Sequence, residues 1–297
     1  MGLGARGSLG DRWFDTINIC ILSLVLIVVL YPLIYVVSAS ISNPLLVLQG
    51  KVWLWPKELS FEAYKRVFQN ADIMVGYRNT ILYTVVGTCV NIVMTIAGAY
   101  PLSRRDFYGR NVIMAFFVFT MFFGGGIIPT YLVIKSLGII NTFWVMILPG
   151  AVSVFNLIIM RTFFQNTIPL ELQESAFMDG STNIRILVSI VLPLSMPIIA
   201  VLILYYAVSH WNAFFNALIY LSERQQYPLQ LFLRELLIQN QMDEMMSGDS
   251  QSMIEQQNLA EGLKYAIIVV SSLPVLILYP FLQKYFEKGI MIGAIKG

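Results

Sequence analysis

Charge is what this sequence has least of. Only 12% of its 297 residues are Asp, Glu, Lys or Arg, where a soluble domain carries about 25%. Such a supply cannot solvate a globular surface of this length, and an ordinary soluble domain is excluded. Histidine occurs once and cysteine twice, with no Cys-x-x-Cys pair and no His/Cys metal spacing. Cys20 and Cys89 both fall inside apolar runs, where a cysteine packs as a small hydrophobe. The Gly-x-x-x-x-Gly-Lys-Ser/Thr phosphate cradle is absent, so energy from a nucleotide would have to come from another chain. A net charge of +2, with no basic tract and no acidic tail, offers nothing to nucleic acid.

Apolar runs are what is present: 57% of residues are hydrophobic and the mean hydropathy is +0.71. A bilayer span needs about 20 such residues. Six runs qualify: 17–41, 79–102, 111–134, 139–164, 186 to at least 208, and 265–285, uncharged but for Arg161 and Lys284 at edges. Backbone groups in lipid must be satisfied within their own segment, so each run is expected to be helical. The expected fold class is an all-α integral membrane protein with six transmembrane helices. Prolines 32, 129, 149, 193, 197, 274 and 280 are expected to kink them. Arg6 and Arg12 before the first run imitate a signal peptide. The run is too long for a signal-peptide core of about 7–15 residues, so it reads as a retained span.

Arg104, Arg105 and Arg110 crowd the link between the second and third spans, and Lys284, Lys288 and Lys296 follow the sixth. With six spans these cations share one side with Arg6 and Arg12, which makes that side cytoplasmic. The expected layout is a cytoplasmic tail 1–16, a first span 17–41, an extracytoplasmic loop 42–78, a core 79–286 and a cytoplasmic tail 287–297. Within the core, 210–264 is extracytoplasmic. Residues 60–68 begin with a capping signal at Ser60 and read as a short amphipathic helix. From Tyr227 the chain reads as an extended entry and then a helix. The Gln, Met, Ser and Asp of 239–257 read as a mobile loop.

The loop between spans four and five differs from the rest. Pro169 near its start and Gly180 after its end frame a short helix, with Glu171 and Glu174 in the early half where the macrodipole favours them. Leu172, Ser175, Ala176 and Asp179 share one face at i, i+3, i+4, i+7 spacing, and the small Ser175 and Ala176 would let another protein approach closely.

The string Glu174-Ser175-Ala176, Asp179-Gly180-Ser181 and Ile190-Val191-Leu192-Pro193 resembles the EAA signature of ABC importer permeases. Its usual form is Glu-Ala-Ala, a short gap, Asp-Gly-Ala, eight residues, then Ile-x-Leu-Pro. The departures are two alanine-to-serine changes, small for small. Asn79-Thr80, Trp211-Asn212-Ala213-Phe214-Phe215 and Tyr227-Pro228-Leu229-Gln230 look like the carbohydrate branch. The ending from Tyr279-Pro280 through Lys288-Gly289 to Gly293-Ala294-Ile295-Lys296-Gly297 looks like the oligosaccharide subgroup. The resemblance implies a type I (MetI-like) transmembrane domain in a bacterial cell membrane, inner or plasma. It also implies a second, homologous permease, two cytoplasmic ATPase subunits holding ATP and Mg, and an external solute-binding protein that delivers an oligosaccharide. This chain would hold no cofactor and no catalytic or metal site. Residues 169–180 would be the coupling helix that docks in a cleft of the ATPase. Glu174, Ser175, Ala176 and Asp179 would face that cleft, Glu174 pairing with a basic or donor group, Gly180 would turn the chain back, and Pro193 would close the signature. The first span would wrap the partner permease.

A sugar pathway needs polar and aromatic lining rather than charged relays. Candidates are Asn156, Ser195, Tyr205, Tyr206, Ser209, Trp211, Asn212 and Phe215, with His210 beside them. The tyrosines and Trp211 equally suit an interfacial aromatic belt, and Asn91 and Asn156 equally suit contacts between helices. The scarcity of cations in this lining favours a neutral sugar, while Arg224, Arg234 and Lys264 near the outer mouth could meet acid groups. Gly124-Gly125-Gly126 before Pro129 marks either an opening in the third span or a close approach of backbones, close packing being the simpler account. The alternative function is an ion-coupled secondary transporter or channel. Against it stand the lack of an ionisable residue at mid-membrane and of an inverted repeat.

Overall fold

The computed structural model describes residues 9–246, 262–277 and 280, and every regular element among them is helical. In chain order these are α1 (Leu9–Ser40), α2 (Pro44–Leu48), α3 (Glu62–Gln69), α4 (Ala71–Ser103), α5 (Arg110–Phe122), α6 (Ile127–Ser136) and α7 (Val154–Thr167). They continue as α8 (Leu170–Met178), α9 (Asn183–Ile186), α10 (Leu192–Leu194), α11 (Met196–Trp211), α12 (Phe215–Tyr220) and α13 (Leu229–Met246). The apolar α14 (Gly262–Ile277) follows. Short 3-10 turns at Phe143–Met146 and Leu148–Gly150 precede α7, and a π turn, Leu187–Val191, joins α9 to α10.

Two helices, Trp13–Ser40 and Ala71–Ser103, are long and apolar enough to cross a bilayer unbroken, and three bent pairs raise the number to five among the described residues. The expected sixth span is described only in part, and the end of the oligosaccharide-type tail lies outside the described residues. The second span begins at Ala71 rather than at 79. Spans three, four and five are each broken: by 117° between α5 and α6, by 52° between Phe143–Gly150 and α7, and by 82° between Asn183–Leu194 and α11.

The prolines explain the shape of these breaks, though differently from the expectation of kinks within continuous helices. Pro193 lies in the last turn before the fifth-span break, whereas Pro129 and Pro197 sit in the first turn of the helix that follows a break. There the missing N–H has no helical acceptor to lose. Pro32, by contrast, lies inside the unbroken α1. In the third span the helix opens at 124–126, and a side chain at Gly124 or Gly126 would meet nothing within 4 Å. Close packing within this chain is therefore not the reason for these glycines. Gly126, at φ +82°, has a backbone reason, since other residues are strained there.

The chain divides into two compact units, residues 1–70 with Glu235–Ser272, and Ala71–Arg234 with residues from Leu273 onward. These boundaries differ from the expected tail, loop and core. In the first unit, Ala39, Val47 and Val52 form a small core with Tyr35 and Tyr265, whose rings meet edge to face at 5.8 Å. The expected helix at 60–68 is α3, but Phe61 occupies its N-cap, and the Ser60 hydroxyl receives only a 3.5 Å contact from the Glu62 N–H. The Gln- and Met-rich stretch expected as loop from 239 continues α13 as far as Met246. In the second unit, α4 is the central element, packed most extensively on α11 and α7. Its C-terminal carbonyls are capped from α7: Arg161 Nε donates to Leu102 O at 2.9 Å and Gln165 Nε2 to Ser103 O at 3.3 Å. Cations at a helix C-terminus also answer the macrodipole.

Candidate functional site

The expected short helix is α8. Its end is a Schellman closure: the Gly180 N–H donates to Phe177 O at 2.9 Å and the Ser181 N–H to Ala176 O at 3.0 Å. That closure needs a left-handed residue, and Gly180 has φ +75° with open space around its Cα. Glu174, Ser175 and Asp179 are exposed. Ala176 is not. It is buried in the cluster that holds Tyr100, Leu102, Met160 and Phe164. The expectation that Ser175 and Ala176 form one surface for a partner is corrected: Ala176 is small because α8 lies close on its own chain, and Ser175 alone of the two is free to face outward. Pro193 lies in α10 behind the π turn, at the fifth-span break rather than on the α8 surface.

A residue that sequence reasoning counted only as a topological charge holds α8 in place. Arg104, the residue after α4, has a side chain only 11% exposed. Its Nε and Nη2 donate to the two Asp106 carboxylate oxygens, each at 2.8 Å, and its Nη1 donates to Gln173 Oε1 at 3.1 Å. Its guanidinium carbon lies 4.8 Å from the centre of the Phe177 ring. Hydrogen bonding to Asp106 raises the Arg104 pKa above its ordinary value, and the same bond lowers that of Asp106. Tyr100 completes the contact on the far side of α8, its hydroxyl donating to Asn183 O at 3.3 Å. Nothing in the spacing separates Arg104 from Arg105 or Arg110; only the fold does.

Within the membrane, α4 presents Thr80, Thr84, Gly87, Thr88, Asn91 and Thr95 along one face, at spacings of three, four and seven. This periodicity is legible in the sequence and was missed. Asn91 Nδ2 donates to Gly150 O at 2.6 Å, and its Oδ1 lies 2.6 Å from His210 Nε2. Gly87 makes room for the His210 ring, which any larger side chain there would strike. Thr95 and Tyr206 share a 2.7 Å bond between hydroxyls. The hydroxyls of Thr84, Thr88 and Ser195 are buried and have no hydrogen-bond partner among the described residues.

These contacts divide the expected pathway residues into two groups. Asn156, Ser195, Tyr206 and Trp211 are buried between helices of this chain, so they do not line an open surface here. Trp211 meets Tyr77 with ring centres 6.2 Å apart. Tyr205, Ser209 and Asn212 are exposed and recur at i, i+4, i+7, which makes one polar stripe along an otherwise apolar α11. Phe215 is exposed beside its end. Beyond Asn212, a further group assembles: Gln230 Nε2 lies 3.5 Å from Asn212 Oδ1, and the Arg234 guanidinium lies 6.0 Å from the Phe214 ring centre.

Comparison with known proteins agrees with this architecture. The chain is 42% identical to Protein LplC of Bacillus subtilis (strain 168), over 96% of each chain. It is 41% identical to the polygalacturonan/rhamnogalacturonan transport system permease protein YtcP of the same organism, over 97% of this chain and 99% of that one. A chain in the crystal structure of a bacterial ABC transporter involved in the import of the acidic polysaccharide alginate superposes with a TM-score of 0.85 at 35% identity, covering 95% of this chain and 100% of that chain. Residues 72–292 match the binding-protein-dependent transport system inner membrane component family, a match that opens one residue after α4 begins. With most of its length so matched, the chain belongs to that family of membrane permeases.

Proposed function

We propose that this chain is one of two pore-forming subunits of an ABC importer for oligosaccharides, driven by ATP and Mg held on separate ATPase subunits. Its N- and C-termini and α8 face the cytoplasm, and an external binding protein delivers the sugar. The observation that carries the reading is α8 itself. One side is fastened to its own chain, while Glu174, Ser175 and Asp179 stand exposed on a rigidly closed helix. An exposed acidic face of that kind suits a cleft on a motor protein. The stripe Tyr205, Ser209 and Asn212 suits the lumen formed with the second permease.

The cargo we infer is an acidic oligosaccharide. Relatives at 41% and 35% identity are named for polygalacturonan and alginate transport. The cluster of Asn212, Phe214, Gln230 and Arg234 supports it chemically. A ring face, two amides and a guanidinium match the apolar face, hydroxyls and carboxylate of a uronic acid.

Reconstituted uptake tests both levels. Proteoliposomes carrying both permeases are supplied with the binding protein and labelled oligogalacturonate, with and without the ATPase subunits. Uptake that requires hydrolysing ATPase is expected. Uptake persisting without it would favour the ion-coupled carrier. Arg234→Gln should lower uptake of the acidic sugar more than that of neutral raffinose; equal loss for both would remove the acidic assignment.

A further inference from the structure

We infer that Arg104 is a positioning residue that ties α8 directly to the second transmembrane helix, so that motion of α8 reaches the pore through α4 as well as along the chain through α9 to α11. This rests on the reading that α8 docks the ATPase. The geometry gives Arg104 several partners at once. Its planar fork takes Asp106 with two nitrogens, and the third nitrogen reaches Gln173 while lying 3.4 Å from the Tyr100 hydroxyl. Its guanidinium carbon lies over the Phe177 ring. Arg110 Nη1 in turn donates to the Arg104 carbonyl at 2.8 Å, which fixes the backbone from which the side chain springs. A lysine ammonium is a point charge on a flexible stem and cannot make this set of contacts.

The location matters as much as the contacts. Gln173 and Phe177 lie one turn apart on the inner side of α8, and Asn183 lies just beyond it. All three are held from the last turn of α4 by Arg104 and Tyr100. The same α4 end is fixed to α7 by Arg161 and Gln165, and its middle carries the Asn91–His210 contact to α11. A displacement of α8 therefore pulls on the helix that packs against both other principal helices of its unit.

The test uses the full complex with its ATPase subunits and binding protein, and reads ATP hydrolysed per sugar imported. Arg104→Lys and Phe177→Leu should each raise that ratio about two- to fivefold, the change expected for losing a contact of cation–π strength. The double variant should be no worse than Arg104→Lys alone, because that change already removes the contact that Phe177→Leu removes. A merely structural defect would lower hydrolysis and import together and leave the ratio unchanged. An unchanged ratio or additive effects would overturn the proposal. So would failure of both variants to assemble while Glu174→Arg still assembles, since that marks a folding role. Glu174→Arg separates the two levels. Wild-type transport in that variant would sink the docking reading itself. Its abolition, beside normal ratios in Arg104→Lys and Phe177→Leu, would sink only the Arg104 tie.

Discussion

Asn91 Oδ1 and His210 Nε2 lie 2.6 Å apart, and a third group fixes which of them donates. The Asn91 amide nitrogen is committed to Gly150 O at 2.6 Å, so its oxygen accepts and the histidine carries its proton on Nε2. One side chain thus joins the second span, the break in the fourth and the end of the fifth. Asn91→Leu would leave the Gly150 carbonyl and the half-buried His210 N–H without this partner, at up to roughly 1–3 kcal/mol each. The expected result is a clear fall in the thermal midpoint of the purified complex, and an unchanged midpoint would contradict the three-way tie.

Gly180 offers a test that separates backbone from space. Because its surroundings are open and its φ is +75°, substitution acts through left-handed strain of about 1–2 kcal/mol. Activity should fall in the order Gly, Asn, Ala, Val, since Asn tolerates that conformation best. Membrane insertion should stay intact throughout, while a bulky residue abolishes transport. Sugar-stimulated ATPase activity measures the series; wild-type activity in Gly180→Val would refute it.

Thr84 has a buried hydroxyl with no partner among the described residues. Leaving such a group unsatisfied costs about 1–3 kcal/mol. Thr84→Val keeps the shape and removes the hydroxyl, so it should hold or raise the thermal midpoint. A marked fall would mean that the hydroxyl is bonded in the assembled complex.

Acid should loosen the Arg104–Asp106 pair in a defined direction. The hydrogen bond from Arg104 lowers the Asp106 pKa. A depressed folded value contributes stability above the unfolded value of about 3.9 and loses it as pH falls through the lowered folded value. Wild type and Asp106→Asn should therefore differ in melting temperature by a constant amount near neutrality and converge below about pH 4. Asp106 is 65% exposed, so solvent screening keeps the difference small. A gap that persists in acid would assign it to something other than the charge.

The spans and α8 were legible because lipid imposes a crude, one-dimensional rule: enough apolar residues in a row, interrupted by a loop with its own start and stop residues. Gly180 was readable on the same ground. The breaks were not. Ser195 sits at an 82° corner between α10 and α11, yet hydropathy runs through it without a dip, so it looked like lumen lining instead of buried structure. Tyr206 and Trp211, also buried here, are hard to place from sequence, because an aromatic with a polar tip suits a pore, an interface or a helix contact equally well. Ala176 turned inward because α8 lies flat on the cluster of Tyr100 and Phe164, a tertiary fact that local spacing does not encode.

The open corner at 124–126 bears on the fate of a solitary copy. Peptide groups there leave the helical ladder in the middle of an apolar stretch, and exposed Phe122 and Phe123 stand beside them. Hydrocarbon cannot satisfy such groups, and each costs several kcal/mol when left bare. An orphan subunit would carry that burden until a neighbour or a hydrated cavity covered the corner.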